Sequence, residues 1–327
     1  MARLFGTDGV RGLANTDLTP EMAYKLGRAA TFIFGCESDK PTIIIGRDTR
    51  ISGTMLEAAL AAGICSAGGD AVLVGVAPTP AISYLVREQG VDAGVVISAS
   101  HNHYADNGIK FFAGTGYKLP DAIEDKLAAL VTNANDDMPR PTGDKVGRII
   151  NQHELVQRYI DFIAQKIDGN FKGMKAVMDC SNGASAEFAP ELFKRLGAEV
   201  VVLNAEPTGI NINEKCGSTH MEGLRQSVVA HNADLGIAFD GDADRCLAVD
   251  ENGEIIDGDQ IMTICALEMM KQGKLHKNVL VTTVMSNIGL HKALKEAGGQ
   301  TKITPVGDRY VLEAMRENGY MLGGEQS

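Results

Sequence analysis

The sequence is short of basic charge: 31 lysines and arginines stand against 42 aspartates and glutamates over 327 residues, a formal charge of −11. Nucleic-acid binding without regard to sequence needs a cationic stripe, so that class is excluded. The six cysteines, Cys36, Cys65, Cys180, Cys216, Cys246 and Cys265, show no CxxC and no ligand-like spacing. Free buried thiols are therefore expected, not a disulfide framework or a thiolate metal site. No apolar signal region follows Met1. The most apolar stretch, residues 58–77, is broken by Gly68-Gly69-Asp70 and reads as helix, turn and strand, so no membrane span is expected. These absences point to a cytoplasmic protein with neither nucleic acid nor membrane as a partner.

Glycine is in excess, at 37 of 327 residues, about 11% against a usual share of roughly 7%. With 44% hydrophobic and 22% charged residues, the chain has the composition of an ordinary globular protein, and its length fits two or three domains. One βαβ pattern recurs three times. Thr42-Ile43-Ile44-Ile45 leads into a helix over 52–67 and a strand at 71–74. Lys175-Ala176-Val177-Met178 leads into a helix ending near Gly197 and a strand at 199–203. Val279-Leu280-Val281-Thr282 leads into a helix ending near Gly298 and a strand at 301–304. Glycine closes each helix, and such units build parallel sheets with right-handed crossovers. The polar, aperiodic residues 132–148 read as a linker or long surface loop, and 250–253 as a second boundary. An α/β chain of three tandem domains is thus expected: 1–148, 149–252 and 253–327.

Four loops carry candidate chemistry. In Asp240-Gly241-Asp242-Ala243-Asp244-Arg245, alternate carboxylates can converge on one hard cation, and oxygen-only donors suit Mg²⁺ or Ca²⁺ over zinc. A calcium EF-hand is excluded because Arg245 occupies the position that needs glycine and a strand-like run precedes the loop. A solvated acidic turn stays open. In the run Ser98-Ala99-Ser100-His101-Asn102, a buried strand delivers a hydroxyl and an imidazole into a loop. Adjacent Ser and His are weak evidence for a serine hydrolase, whose base usually lies far away in sequence, and this is no GxSxG elbow. The N-terminal FGTDGVRG could hold an anion through backbone N–H groups and Arg11, or be a plain terminal loop. In Gly323-Gly324-Glu325-Gln326-Ser327, a carboxylate and a hydroxyl two residues apart suit sugar hydroxyls or a frayed end.

In combination, FGTDGVRG, GRDTRISG at 46–53, ISASHN around Ser100, DNGIKFF at 106–112, DGDADR and GEQS resemble the α-D-phosphohexomutase superfamily, most closely its phosphoglucosamine-converting branch. The Gly307-Asp308-Arg309 turn is similar to that subgroup as well. The resemblance implies tandem three-layer α/β/α domains with mixed, largely parallel sheets. It also implies a third domain left incomplete at Ser327 and a missing fourth domain bearing a phosphate-binding loop, so that this chain by itself would be impaired.

The implied activity interconverts glucosamine 6-phosphate and glucosamine 1-phosphate on the route to UDP-N-acetylglucosamine and cell wall. It would run through a phosphoserine at Ser100 and a hexosamine 1,6-bisphosphate intermediate. One Mg²⁺ per chain would be held by Asp240, Asp242, Asp244 and the Ser100 phosphate. Arg11 and Arg245 would hold the phosphoryl group, and Lys110 or His101 would shuttle the proton. Glu325 and Ser327, with Gly307, Asp308 and Arg309 nearby, would contact the sugar phosphate. A homodimer is left open. Alternatives are a phosphomannomutase or phosphoglucomutase preference, a non-catalytic sugar-phosphate-binding module, and a metal-dependent phosphatase. The family usually has proline after Asn102, where this chain has His103, so a differently shaped loop is expected there.

Overall fold

The computed structural model describes residues 4–6, 8–35 and 40–327. Thr7 of the N-terminal loop and Cys36 lie outside them. The first unit contains β1 (Val10–Leu13), α1 (Pro20–Phe34), β2 (Thr42–Arg47), α2 (Gly53–Ser66), β3 (Asp70–Val76), α3 (Thr79–Gln89), β4 (Ala93–Ile97), β5 (Asp106–Ala113), α4 (Asp121–Thr132) and β6 (Ile149–Asn151). Its sheet runs β1-β5-β4-β2-β3-β6. The pairs from β4 to β6 are parallel, and those that β5 makes with β1 and β4 are antiparallel.

The central strands are almost wholly apolar because both faces of the sheet are covered. Side chains alternate across a strand. Ile43 and Ile45 therefore join the cluster with Leu26, Leu56 and Leu127, under α1, α2 and α4. Ile44 joins Ile82, Leu85 and Val86 of α3 on the other face. Thr19 starts α1 by accepting the Met22 amide at 3.2 Å, with Pro20 in the first turn.

Residues 149–166 follow the expected boundary at 148 and touch the first unit. The β6 strand extends the first sheet by pairing with β3, and α5 (Leu155–Lys166) packs on α3. Phe162 stacks on Tyr84 with ring centroids 4.5 Å apart, and Leu155 and Val156 enter the α3 core. The apolar stripe of α5 is covered by this packing on α3, where Tyr159 also meets Tyr84. Asp161 of α5 also pairs with Arg195, so the helix meets both neighbouring units. The 132–148 stretch is a surface loop pinned to the first unit: the buried Arg28 donates to Asp136 Oδ1 and to the Met138 carbonyl, both at 2.9 Å.

The second unit contains β7 (Lys175–Asp179), α6 (Phe188–Arg195), β8 (Glu199–Leu203), α7 (Glu222–His231), β9 (Leu235–Phe239), β10 (Cys246–Asp250) and β11 (Ile255–Ile256). Its sheet order is β11-β10-β9-β7-β8, and the antiparallel β9–β10 pair brackets residues 240–245. The third unit contains α8 (Gly258–Lys271), β12 (Val279–Thr283), α9 (Ile288–Glu296), β13 (Gln300–Thr304), α10 (Asp308–Asn318) and β14 (Leu322–Gly323). Its all-parallel sheet runs β13-β12-β14. The two-sided core of the first unit recurs in both: α7 covers one face of the second sheet and α6 the other, while α8 and α9 oppose α10 across the third. Among the described residues, no helix is long and apolar enough to cross a membrane.

Candidate active site

Loops at the carboxyl ends of parallel strands are where ligands bind in such sheets, and here three of them meet. Ser100 follows β4, Asp48 and Arg50 follow β2, and Asp240 follows β9. Ser100 has φ of 53°, a left-handed conformation unusual for serine, and is buried. The surroundings over-determine that backbone. Its amide donates to Ser98 Oγ at 2.9 Å, and Ser98 Oγ donates to Asp48 Oδ2 at 2.6 Å. Its carbonyl accepts from Arg50 Nη2 and Asn213 Nδ2, both at 2.9 Å. Arg50 and Asp48 form a fully buried ion pair at 2.8 Å. The same guanidinium also donates to the carbonyls of Asn102, His103 and Asp106. His103 packs its ring on Tyr104.

The Ser100 hydroxyl is thereby aimed at the acidic loop, donating to Asp240 Oδ2 at 2.5 Å, with His101 Nδ1 3.2 Å away. One carboxylate oxygen from each of Asp240, Asp242 and Asp244 lies within 4.8 Å of the others. Asp242 Oδ2 accepts from Thr79 Oγ1 and from Lys110 Nζ, both at 2.7 Å, while its Oδ1 is buried without a partner. A buried carboxylate oxygen left unpaired beside two further carboxylates fits a hard divalent cation, and the all-oxygen donor set excludes a soft-metal preference. Gly241 lets the two loops touch: a Cβ there would stand 2.6 Å from the Ser100 carbonyl oxygen.

Electrostatics follow from this crowding. Burial, and then the charges of its neighbours Asp242 and Asp244, lift Asp240 well above the usual carboxylate range. Burial and Asp242 push Asp244, at the mouth of the loop, up to about 6. Burial opposes the charge on Lys110, which is 2% exposed, but Asp242, Asp244 and Asp8 outweigh it and hold the ammonium charged. Burial, Arg245 and Arg11 depress His101, leaving its imidazole neutral near pH 7.

Ser100, His101, Lys110, Asp240, Asp242 and Asp244 thus form one cluster. Arg245 joins through its amide, 3.2 Å from Asp240 Oδ1, and Arg11 by pairing with Asp8. In the third unit, Glu325 Oε1 accepts from the Gly307 amide at 2.9 Å, and Gly307 has φ of 127°, open only to glycine. Asp308 and Arg309 open α10, but Arg309 is turned onto α4, 2.7 Å from Asp121 Oδ1. Ser327 is exposed. Sequence reasoning missed Asp8, Asp48, Arg50, Thr79, Lys118 and Asn213. GRDTRISG had marked its stretch of chain, yet nothing local says that Arg50 holds carbonyls some fifty residues away.

The family models described as phosphoglucomutase/phosphomannomutase α/β/α domains I, II and III match residues 2–138, 157–253 and 257–327. The chain is 57% identical over 327 residues to a protein named phosphoglucosamine mutase from Clostridium novyi, covering all of this chain and 73% of that one. It is 55% identical to a protein of the same name from Acetivibrio thermocellus, again over 100% and 73%. A solved structure of a phosphoglucomutase/phosphomannomutase family protein from Burkholderia thailandensis superimposes with a TM-score of 0.85 at 27% identity, covering 100% of this chain and 71% of that one. A phosphoglucomutase of Paramecium, at 19% identity and a TM-score of 0.81, shares the fold. Matches to three consecutive domain models, with relatives more than half identical over the whole chain, show that this chain belongs to the phosphoglucomutase/phosphomannomutase family.

Proposed function

We propose that the protein interconverts glucosamine 6-phosphate and glucosamine 1-phosphate through a phosphorylated Ser100, in the cytoplasm, with Mg²⁺ held by Asp240, Asp242 and Asp244. The observation that carries this reading is the Ser100 hydroxyl, 2.5 Å from Asp240 and beside the unpaired Asp242 oxygen. The relatives named phosphoglucosamine mutase, at 55–57% identity, support the amino-sugar substrate over mannose or glucose phosphates. When bound, the cation would neutralise charge on the transferring phosphoryl oxygens.

The remaining chemistry belongs to the chain. The sugar's O1 attacks phosphorus, the bond from phosphorus to Ser100 Oγ breaks, and the O1 proton ends on Oγ. A 1,6-bisphosphate results. After it turns over, Ser100 Oγ attacks the other phosphorus, its proton passes to O6, and glucosamine 1-phosphate leaves. His101, neutral and 3.2 Å from Ser100 Oγ, is the group we assign to moving that proton. Lys110 and Arg11 supply fixed positive charge to an otherwise acidic site, and Arg245 would help hold the phosphoryl group. Such positioning and charge stabilisation are what phosphoryl transfer chiefly requires. Gly307, Asp308, Arg309, Glu325 and Ser327 would make up the sugar-facing side.

Intact-mass measurement after incubation with glucosamine 1,6-bisphosphate and Mg²⁺ tests this directly. A single phosphate is expected on the protein and none on Ser100→Ala. Failure of the unaltered protein ever to take up phosphate would sink the covalent route. Faster coupled turnover of mannose 6-phosphate than of glucosamine 6-phosphate would overturn the substrate preference, and net release of inorganic phosphate would indicate a phosphatase.

A further inference from the structure

Lys118 lies just beyond β5, where the Ala113 amide donates to the Tyr117 carbonyl at 2.8 Å and folds the chain back. Its ammonium is shared between two units: 2.8 Å from Asp8 Oδ1 in the first and 2.9 Å from Asp308 Oδ1 in the third. Asp8 turns its other oxygen to Lys110 Nζ at 3.0 Å and to Arg11. Charges therefore alternate without a gap from Asp242 through Lys110, Asp8 and Lys118 to Asp308. Alongside, Arg309 reaches Asp121, and the Arg316 guanidinium lies 4.1 Å from the centre of the Tyr117 ring. The Asp308 side chain is 64% exposed, so its pair taken alone would hold little. Lys118 is 17% exposed and fixed at both ends, which makes it the covered link of a network.

We propose that Lys118 is a positioning residue that sets the Gly307–Arg309 loop of the third unit in register with Asp8 and the Arg11 and Lys110 cations it holds near Ser100. Gly307 also receives Glu325, so the register of α10's first turn sets where both sugar-facing segments stand. Lys118 touches no reacting atom in this arrangement. It acts through Asp308 on substrate placement, and through Asp8 on the cations that meet the phosphoryl group. The consequence for turnover rests on the phosphoryl-transfer reading given above; the bridge itself does not.

Two measurements on the whole protein test it. In the mutase assay, Lys118→Met should raise KM for glucosamine 6-phosphate about threefold to tenfold with kcat changed less than KM, and Lys118→Arg should restore most of the loss. Asp308→Asn should raise KM in the same direction, and the double variant should be no worse than Lys118→Met alone, since that change already removes the pair with Asp308. By hydrogen exchange, peptides spanning 305–312 should exchange faster in Lys118→Met and Asp308→Asn than in the unaltered protein. Additive KM effects, a loss confined to kcat, or unchanged exchange in both variants would overturn the proposal. Asp308 is exposed, so its variant keeps the test open if Lys118→Met fails to fold. If the unaltered protein neither turns over glucosamine 6-phosphate nor takes up phosphate at Ser100, the functional reading fails, and exchange alone still decides the bridge.

Discussion

The Arg50 guanidinium is directed at the backbone of the Ser100 loop and at one buried carboxylate, so removing it strands partners on both sides. Asp48 would stay buried without its counter-ion, and the carbonyls of Ser100, Asn102, His103 and Asp106 would lose donors. Breaking a buried pair of this kind costs about 3–5 kcal/mol. Arg50→Met should therefore lower unfolding stability in urea by roughly that amount, and it should relax the left-handed φ of Ser100. A loss under about 1 kcal/mol would show that the clamp is redundant. The three aspartates were legible as candidate cation ligands because they alternate along one loop, whereas Ser100 was marked by the family resemblance, its local Ser-His pattern being weak evidence. Arg50 and Asp8 could not be read, because their partners are main-chain atoms and cations that only folding brings near.

At the scale of elements, the strands were legible because sheets covered on both sides demand near-continuous apolar runs, as in β2, β4 and β12. The pairing of β6 with β3 and the packing of α5 on α3 were not. An amphipathic helix announces that it packs, not on what. The contact of the Ser100 loop with the β9–β10 loop is the element-level feature with the sharpest consequence. A methyl at residue 241 would sit 2.6 Å from the Ser100 carbonyl oxygen, and Gly183 backs the same loop at close range. Gly241→Ala must push the loops apart by a sizeable part of an ångström. A misplacement near 1 Å costs roughly a hundredfold in rate. Phosphate uptake at Ser100, followed by intact mass, should slow by at least about tenfold while far-UV circular dichroism stays unchanged. An unaffected rate would mean that the loops need not touch for chemistry.

For the whole molecule, the balance of charge is decided across units. Asp244 in the fold titrates near 6, above its ordinary 3.8, and Asp240 is shifted in the same direction. The folded state then binds more protons than the unfolded chain between these values. Metal-free stability must therefore fall as pH rises from about 4 to 6, and acid relieves the repulsion. A divalent cation relieves it too, but only where the carboxylates are ionised. Added Mg²⁺ should thus raise Tm more at about pH 7.5 than at about pH 5, measured by scanning calorimetry against a chelator control. An equal or larger gain at the lower pH would place the cation elsewhere. By itself, the sequence determined the strands, the three-fold βαβ pattern and the donors available in each loop, because those are properties of residues close along the chain. Only the tertiary structure decided which oxygen of Asp240 meets Ser100, why Lys110 stays charged while His101 does not, and that Lys118 joins the first unit to the third. Those outcomes depend on desolvation and on charges more than a hundred residues apart coming within 3 Å, which no local spacing encodes.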